Sequence, residues 1–405
     1  MSTLDKTVLN SVHAALGGTL VDFGGWEMPL WYPTGAVKEH LAVLNGAGLF
    51  DTSHMTVIMA EGGGVRDFIN FAVTKEINGL KLGRAGYGII LNEKGEAVDD
   101  AIVYPLTEER FALVVNAGMG GKVIEHMRKL PGGDKLAWTD LTGKLAKIDL
   151  QGPASFKIIK SLIADSNRVF EKFPYFSFKG DFDLSKTSVK FTDGTPALLS
   201  RTGYTGELGF EIFLPPDKAV EIWQRILEAG RDYGITPCGL AARDSLRTGA
   251  VLPLSHQDIG PWPFINNPWP WALPYDQNGG FSKDFNGRGA LDPETADHTL
   301  PFVGFDPRKV DPAESRVMYD DQDMGLVLTA VADMGIGRID GRVAGLASPG
   351  KTEGWHPKGL VCGFIKVKRK FAPGEIVYLK DARRQLKVEI CEDIRPGRTA
   401  RAPLK

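Results

Sequence analysis

The chain has 405 residues, enough for about two to four domains at roughly 100–200 residues each. Its 43% apolar and 24% charged content excludes wholesale disorder, a collagen repeat and a coiled coil. Lys plus Arg number 48 against 50 for Asp plus Glu, a net charge of −2, so no global basic field exists to hold a phosphate backbone. Cys238, Cys362 and Cys391 are odd in number and far apart, which argues against a disulfide framework or a Cys-rich zinc site and for a reducing cytoplasm. Residues 1–6 lack the basic stretch and apolar run of a secretory signal, and no segment reaches about 18 uncharged apolar residues, so a soluble, unexported protein is expected.

In chain order, residues 36–46, AVKEHLAVLNG, predict a helix with Val37, Leu41 and Leu44 on one face and Gly46 and Gly48 as its stop. Val57 to Ala60 is apolar and partly β-branched, a strand, and Val65, Phe68, Ile69 and Phe71-Ala72 then recur at helical intervals. Residues 85–116 carry three apolar runs divided by Asn92-Glu93-Lys94-Gly95 and by Thr107-Glu108-Glu109-Arg110, the pattern of an antiparallel meander. The pattern returns over 187–214, where TSVKF and TPALLSR flank Thr192-Asp193-Gly194 and GFEIFLP follows a glycine-rich corner. Helical patterns follow near 217–230 and 239–247.

Residues 252–280, rich in proline and containing Trp262, Trp269 and Trp271, predict a long packed loop, because proline neither continues a helix nor sits in a central strand. Short apolar runs from about residue 301, LVCGFIKV and EIVYLK among them, predict a β-rich C-terminal domain with residues 281–300 as the bridge. Strands joined by hairpins rather than long crossovers favour an α+β architecture over a doubly wound parallel sheet. GxGxxG does not occur, so a dinucleotide reading lapses.

Three places carry candidate chemistry. Asp99 and Asp100 interrupt the meander before AIVY. Strand neighbours point to opposite faces, so one carboxylate should face the core, where it needs hydrogen bonds to stay charged; a solvated turn pair is the alternative. The corner 201–211, RTGYTGELGFE, surrounds Tyr204 with glycines and two acids, a platform on which a flat heterocycle stacks while a carboxylate reads its nitrogens; an ordinary glycine-rich hairpin is the alternative. In 239–247, GLAARDSLR, Arg243 or Arg247 could reach an anionic ligand or an acid across a domain boundary, against plain surface salt bridging. His40 and His54 do not form a zinc motif, and Ser53-His54 lacks a nucleophile elbow.

Together these segments resemble the folate-dependent aminomethyltransferase family, represented by the T-protein of the glycine cleavage system. The resemblance rests on VDFGGWEMP at 21–29, GAGLFDTSHM at 46–55, Gly95 to Tyr104, LVVN at 113–116, DLQGP at 149–153, RTGYTGELGFE and GLAARDSLR, in order over about the first 250 residues. It implies a three-domain clover: two interleaved α+β domains with ferredoxin-like elements and antiparallel sheets over residues 1–290, and a C-terminal β-barrel over 300–405. It implies tetrahydrofolate as co-substrate, with Asp100 beside the reactive nitrogens and Arg243 as its catalytic companion. Glu211 would read the pterin, Tyr87, Tyr175 and Tyr204 would wall the site, and Met55, Val115 and Asn116 would line it.

The chain departs from the family after Arg247. The usual glycine-bearing segment reads Pro253-Leu254-Ser255-His256-Gln257-Asp258, NPFE becomes Asn267-Pro268-Trp269-Pro270, a tryptophan near the folate falls at Tyr275, and the final Ser-Pro block is faint in 347–350. These departures lie on the donor side. The resemblance therefore implies an aminomethyl donor, the lipoylated H-protein, or alternatively a small O-, N- or S-methylated donor for a tetrahydrofolate-dependent demethylase. A non-enzymatic folate-binding accessory protein is disfavoured because Arg201-Thr202-Gly203-Tyr204 stands where that group carries a cysteine motif.

Overall fold

The computed structural model describes residues 4–348 and 354–405, so Pro349 and Gly350 of the faint C-terminal block lie outside the described residues. The meander forms as its turns require: Gly86–Leu91, Ala97–Pro105 and Arg110–Val115 pair antiparallel, and Thr56–Glu61 and Ala137–Asp140 complete a five-stranded sheet. Strand Thr56–Glu61 shows why its sequence is nearly all apolar. Ile58 and Ala60 pack beneath the helices Val65–Ala72 and Gly120–Lys129, while Val57 and Met59 pack on the opposite face, and a strand covered on both sides cannot alternate with polar residues.

That opposite face meets a second sheet. Its six strands run in the order Phe178–Lys179, Leu198–Ser200, Gly209–Leu214, Ala146–Gln151, Gly48–Asp51 and Thr236–Pro237, with only the last pair parallel. Val57, Met59, Tyr104 and Val114 of the first sheet share one apolar layer with Leu198 and Phe213 of the second. Helices Ser155–Leu162 and Ala219–Ala229 bury Ile158, Ile159, Ile222, Trp223 and Ile226 on the outer side. Six strands from His298 to Ile390 close the C-terminal barrel, as the β-rich pattern led one to expect. The fold is thus α+β with antiparallel sheets and a terminal barrel. Among the described residues no helix is long and apolar enough to cross a membrane.

Helix Leu240–Gly249 joins the parts. Fully buried Arg247 bonds Asp244, Asp258 and, across to the barrel, Thr329. At Gly249 an added Cβ would lie 2.0 Å from the Asp333 carboxylate and 2.5 Å from Arg395, so only glycine admits this contact. Asp333 in turn bonds His40 at 2.8 Å and Arg395 at 2.6 Å. Although burial opposes its charge, those two partners hold its carboxyl well below the usual range.

The structure corrects two readings and divides a third. Helix Ala36–Asn45 is present, but its buried residues are Glu39, His40 and Val43, whereas Val37 is exposed. Polar partners override the apolar stripe there, since Glu39 accepts from the amides of Tyr32 and Gly239 while His40 bridges Ser245 and Asp333. TSVKF is no regular strand, making only isolated bridges from Lys190 to Pro196 and from Phe191 to Ile163. The proline-rich loop holds only a short 3-10 turn, Pro270–Ala272, and its tryptophans split in role. Trp269 is 1% exposed, donates from Nε1 to the Val251 carbonyl and meets Phe364 of the barrel edge-on. Trp271 is 45% exposed and lies against Tyr87. Trp269→Ala is therefore expected to cost about 3–5 kcal/mol in denaturant unfolding and Trp271→Ala under about 1 kcal/mol; equal losses would contradict this division.

Candidate active site

Asp99 and Asp100 sit within strand Ala97–Pro105, not in a solvated turn. A register shift between Ile90 and Leu91 leaves Val98 unpaired as a bulge just before the two acids, which themselves pair in register with Ile90 and Ile89. Simple alternation had set the two carboxylates apart; here one amide reaches both. Asn116 Nδ2 donates to Asp99 Oδ1 at 2.6 Å and to Asp100 Oδ1 at 2.5 Å, and its backbone N–H donates to Asp99 Oδ2 at 3.0 Å. The Tyr87 hydroxyl donates to Asp100 Oδ2 at 2.7 Å.

Asp99 is fully buried and Asp100 half-buried. Loss of water pushes the Asp100 carboxyl up to about 6, the neighbouring Asp99 charge pushes the same way, and the bonds from Tyr87 and Asn116 oppose them. Asp99 is also raised by burial, against the donors of Asn116. Two acids this close titrate as a pair. The arrangement offers a proton acceptor whose affinity lies near neutrality, next to a tyrosine whose own proton is held tightly by burial and by Asp100.

A second cluster gathers Glu211, Arg243 and residues that sequence reasoning missed. Lys147, 2% exposed, donates to Thr52 at 3.0 Å, Asp149 at 2.7 Å and Glu211 at 2.5 Å. Arg243 bonds Asp149 at 3.1 Å and lies 4.8 Å over the Tyr204 ring. The other Glu211 oxygen accepts from Thr202, and the Tyr204 hydroxyl donates to the Pro253 carbonyl. Burial disfavours the Asp149 charge, yet Lys147 and Arg243 outweigh it and keep that carboxyl below its ordinary value. Two residues upstream of Asp149, Lys147 lies on the polar side of an alternating strand, Ala146-Lys147-Ile148-Asp149-Leu150-Gln151, a pattern that reads as solvent-facing. The glycines of the corner have a packing cause: a Cβ at Gly203 or Gly209 would lie within 2.2 Å of the Gln151 carboxamide.

The remaining candidates are placed unevenly. Met55 is half-buried at the start of strand Thr56–Glu61, at the edge of the layer between the sheets. The Val115 side chain is in the helix-side core, which leaves only its backbone to face a ligand. Tyr175 lies near enough to Glu211 to feel its charge, with Arg401 of the C-terminal tail 5.4 Å from its ring. Tyr275 stacks on Phe281 at 5.2 Å, and the loop residue that meets Tyr87 is instead Trp271, at 5.0 Å. An open groove of about 760 Å³ beside Phe71, Phe285 and Leu291 contains none of these residues.

Two buried polar atoms lack partners here, His54 Nδ1 and Ser255 Oγ. Burial, reinforced by Arg243, brings His54 down to about 4, so its ring is neutral at physiological pH. Acceptors on Asp100 and Glu211, an unsatisfied imidazole nitrogen and the Tyr87 and Tyr204 rings suit a heterocycle rich in N–H groups, and the chemistry of this set fits a reduced pterin. Lys147→Met would leave Glu211 and Asp149 buried with one fewer cation. The expected loss is about 3–5 kcal/mol in denaturant unfolding, and a change below about 1 kcal/mol would show that the lysine is not needed to hold the pair.

Known proteins similar to this chain fall in one family. The family model described as the GCVT N-terminal domain matches residues 9–262. An aminomethyltransferase of Bacillus mycoides (strain KBAB4) is 39% identical over 259 residues, covering 64% of this chain and 67% of the relative. One from Desulfitobacterium hafniense (strain DSM 10664 / DCB-2) is 39% identical over 262 residues, covering 64% and 68%. The glycine cleavage system aminomethyltransferase T of Bartonella henselae superposes with a TM-score of 0.75 at 26% identity, covering 96% of this chain and 97% of that one. The chain belongs to the folate-dependent aminomethyltransferase family.

Proposed function

We propose that this transferase moves a one-carbon unit from the dihydrolipoyl arm of a lipoylated H-protein to tetrahydrofolate, releasing ammonia and giving methylenetetrahydrofolate. The observation that carries the reading is Asp100: a carboxylate raised to about 6, bonded to Tyr87 and Asn116. A base of that affinity is largely ionised at neutral pH yet accepts a proton readily, as general base catalysis requires, a device usually associated with about 10²–10⁴-fold in rate.

In this proposal tetrahydrofolate is a co-substrate held by the chain's own groups. Glu211 and Arg243, fixed by Lys147, Thr202 and Asp149, would read the pterin edge, and Tyr87, Tyr175 and Tyr204 would wall the ring, with Met55, Asn116 and the Val115 backbone lining it. A nucleophilic nitrogen and the carbon it attacks would then meet out of bulk water, so alignment supplies much of the acceleration. Asp100 would orient the reacting nitrogen and take its proton. We further propose that residues 1–290 act as one folate-binding region and 300–405 as a barrel that closes it, and that the protein works in the cytoplasm, where its three cysteines stay reduced.

One observation favours a second reading. Exposed Trp271 against Tyr87 puts an aromatic surface one hydrogen bond from Asp100, which would suit a small methylated donor in a demethylase giving methyltetrahydrofolate. Incubation of the pure protein with tetrahydrofolate and either aminomethylated H-protein or a panel of O-, N- and S-methylated compounds separates the two. Methylenetetrahydrofolate formed with H-protein alone supports the first, and methyltetrahydrofolate formed from a small donor supports the second.

Asp100→Asn is expected to lower turnover by about 10²-fold or more while raising thermal stability near neutral pH. The carboxyl binds its proton more tightly folded than unfolded, so its contribution to stability falls as pH rises from about 4 to about 6 and stays low above that; the neutral amide avoids that loss. Full turnover in the variant, or a lower melting temperature at pH 7.5 together with a higher one at pH 4, would contradict the assignment.

A further inference from the structure

One segment has a placement that the folate-side residues do not explain. Residues 254–259 form a strap folded back on itself and tied to the barrel through Gln257 and Asp258. Fully buried Asp258 accepts from Arg247, from Thr329 at 2.6 Å and from the Leu254 amide at 2.9 Å, and Gln257 donates to Leu328 and Thr329 of the barrel at 3.1 and 2.7 Å. At the middle of the strap His256 adopts a left-handed backbone, φ 64°, a conformation costly for a side-chain-bearing residue. The turn sets the His256 Nε2 3.7 Å from Asp99 Oδ1, and His256 is the ion-pair partner that the described residues give Asp99. The unpartnered Ser255 hydroxyl, one residue earlier, lies within reach of the same carboxylate. The imidazole is half-exposed while Asp99 is buried, so the ring links the pair to solvent.

We infer that His256 is a positioning residue that faces Asp99 and so keeps Asp100 ionised for proton acceptance. Other cations nearby are already committed: Arg243 to Asp149, and Arg247 to Asp244 and Asp258. Tyr87 and Tyr204 bring only neutral hydroxyls, bonded to Asp100 and to the Pro253 carbonyl. The His256 imidazole beside Asp99 therefore lowers the repulsion that Asp99 exerts on Asp100 through the shared Asn116 amide. Loss of the imidazole raises the proton affinity of Asp100.

The inference rests on Asp100 as the proton acceptor, and its test is read without any donor. His256→Asn and His256→Gly both tolerate a left-handed backbone and both lack the imidazole. In folate-free protein, the Asp100 carboxyl is followed by carbon-13 NMR titration, assigned with Asp100→Asn. Its midpoint is expected to rise by about half a unit to one unit in both variants, a three- to tenfold gain in proton affinity. The acid limb of kcat/KM, measured with whichever donor is turned over, is expected to move with it, and activity at pH 8.5 to be retained. An unmoved midpoint in either variant overturns the inference whatever the donor proves to be. A lowered melting temperature with an unmoved midpoint assigns His256 to stability alone.

Discussion

The site depends on one amide. Asn116 sits at the end of strand Arg110–Val115 and holds two neighbouring carboxylates together from the next strand, where their charges repel and burial penalises both. Hydrogen bonds of this kind offset the cost of desolvation only while the donor stays fixed. Its fixation comes from the sheet: Val115 pairs with Thr56, and Val114 is locked in the layer between the two sheets. The face-to-face packing of the sheets therefore sets the chemistry as well as the fold, because it fixes how far one strand's amide lies from the next strand's acids.

The second sheet answers with a cluster of opposite character. There the carboxylates of Asp149 and Glu211 have cations, Lys147 and Arg243, and Asp149 stays below its ordinary proton affinity, whereas Asp100, whose nearest charged neighbour is another acid, rises. Two sets of acids in one protein thus have divergent environments, one committed to charge and one poised to exchange a proton. The barrel is coupled to both. Arg247 reaches it through Asp258 and Thr329, and Arg395 ties Asp333 to the Thr205 carbonyl of the glycine-rich corner. The C-terminal tail completes the enclosure, with Thr399 bonding Glu207 and Arg401 lying over Tyr175.

Much of this was legible in the sequence, and the rest failed for identifiable reasons. The meander, helix Val65–Ala72, the β-rich C-terminus and the irregular proline-rich loop follow from local period and turn chemistry. Residues such as Glu39 and His40 defeat periodicity, because their partners include groups about 200 or more residues away. The spacing of Asp99 and Asp100 implied opposed faces, and period alone gave no sign that the Asn116 amide reaches both. Lys147 sits at a polar position of an alternating strand, a pattern that reads as a solvated face though the fold buries both sides, and nothing set Trp271 apart from Trp269, since one is buried against the barrel and the other exposed purely through tertiary context. Resemblance carried the folate-side residues; it carried neither His256 nor the strap, where this chain departs from the family pattern.

The central claim is that a pterin lies between the Asp100 pair on one sheet and the Glu211 and Arg243 cluster on the other. A crystal structure of the protein with tetrahydrofolate tests it most directly. The account predicts ligand density with one edge within hydrogen-bonding distance of Glu211 and the reactive nitrogens beside Asp100, the Tyr87 hydroxyl still in place. Density elsewhere, as in the groove beside Phe71 and Phe285, with the Asn116-bridged carboxylates untouched, would contradict it.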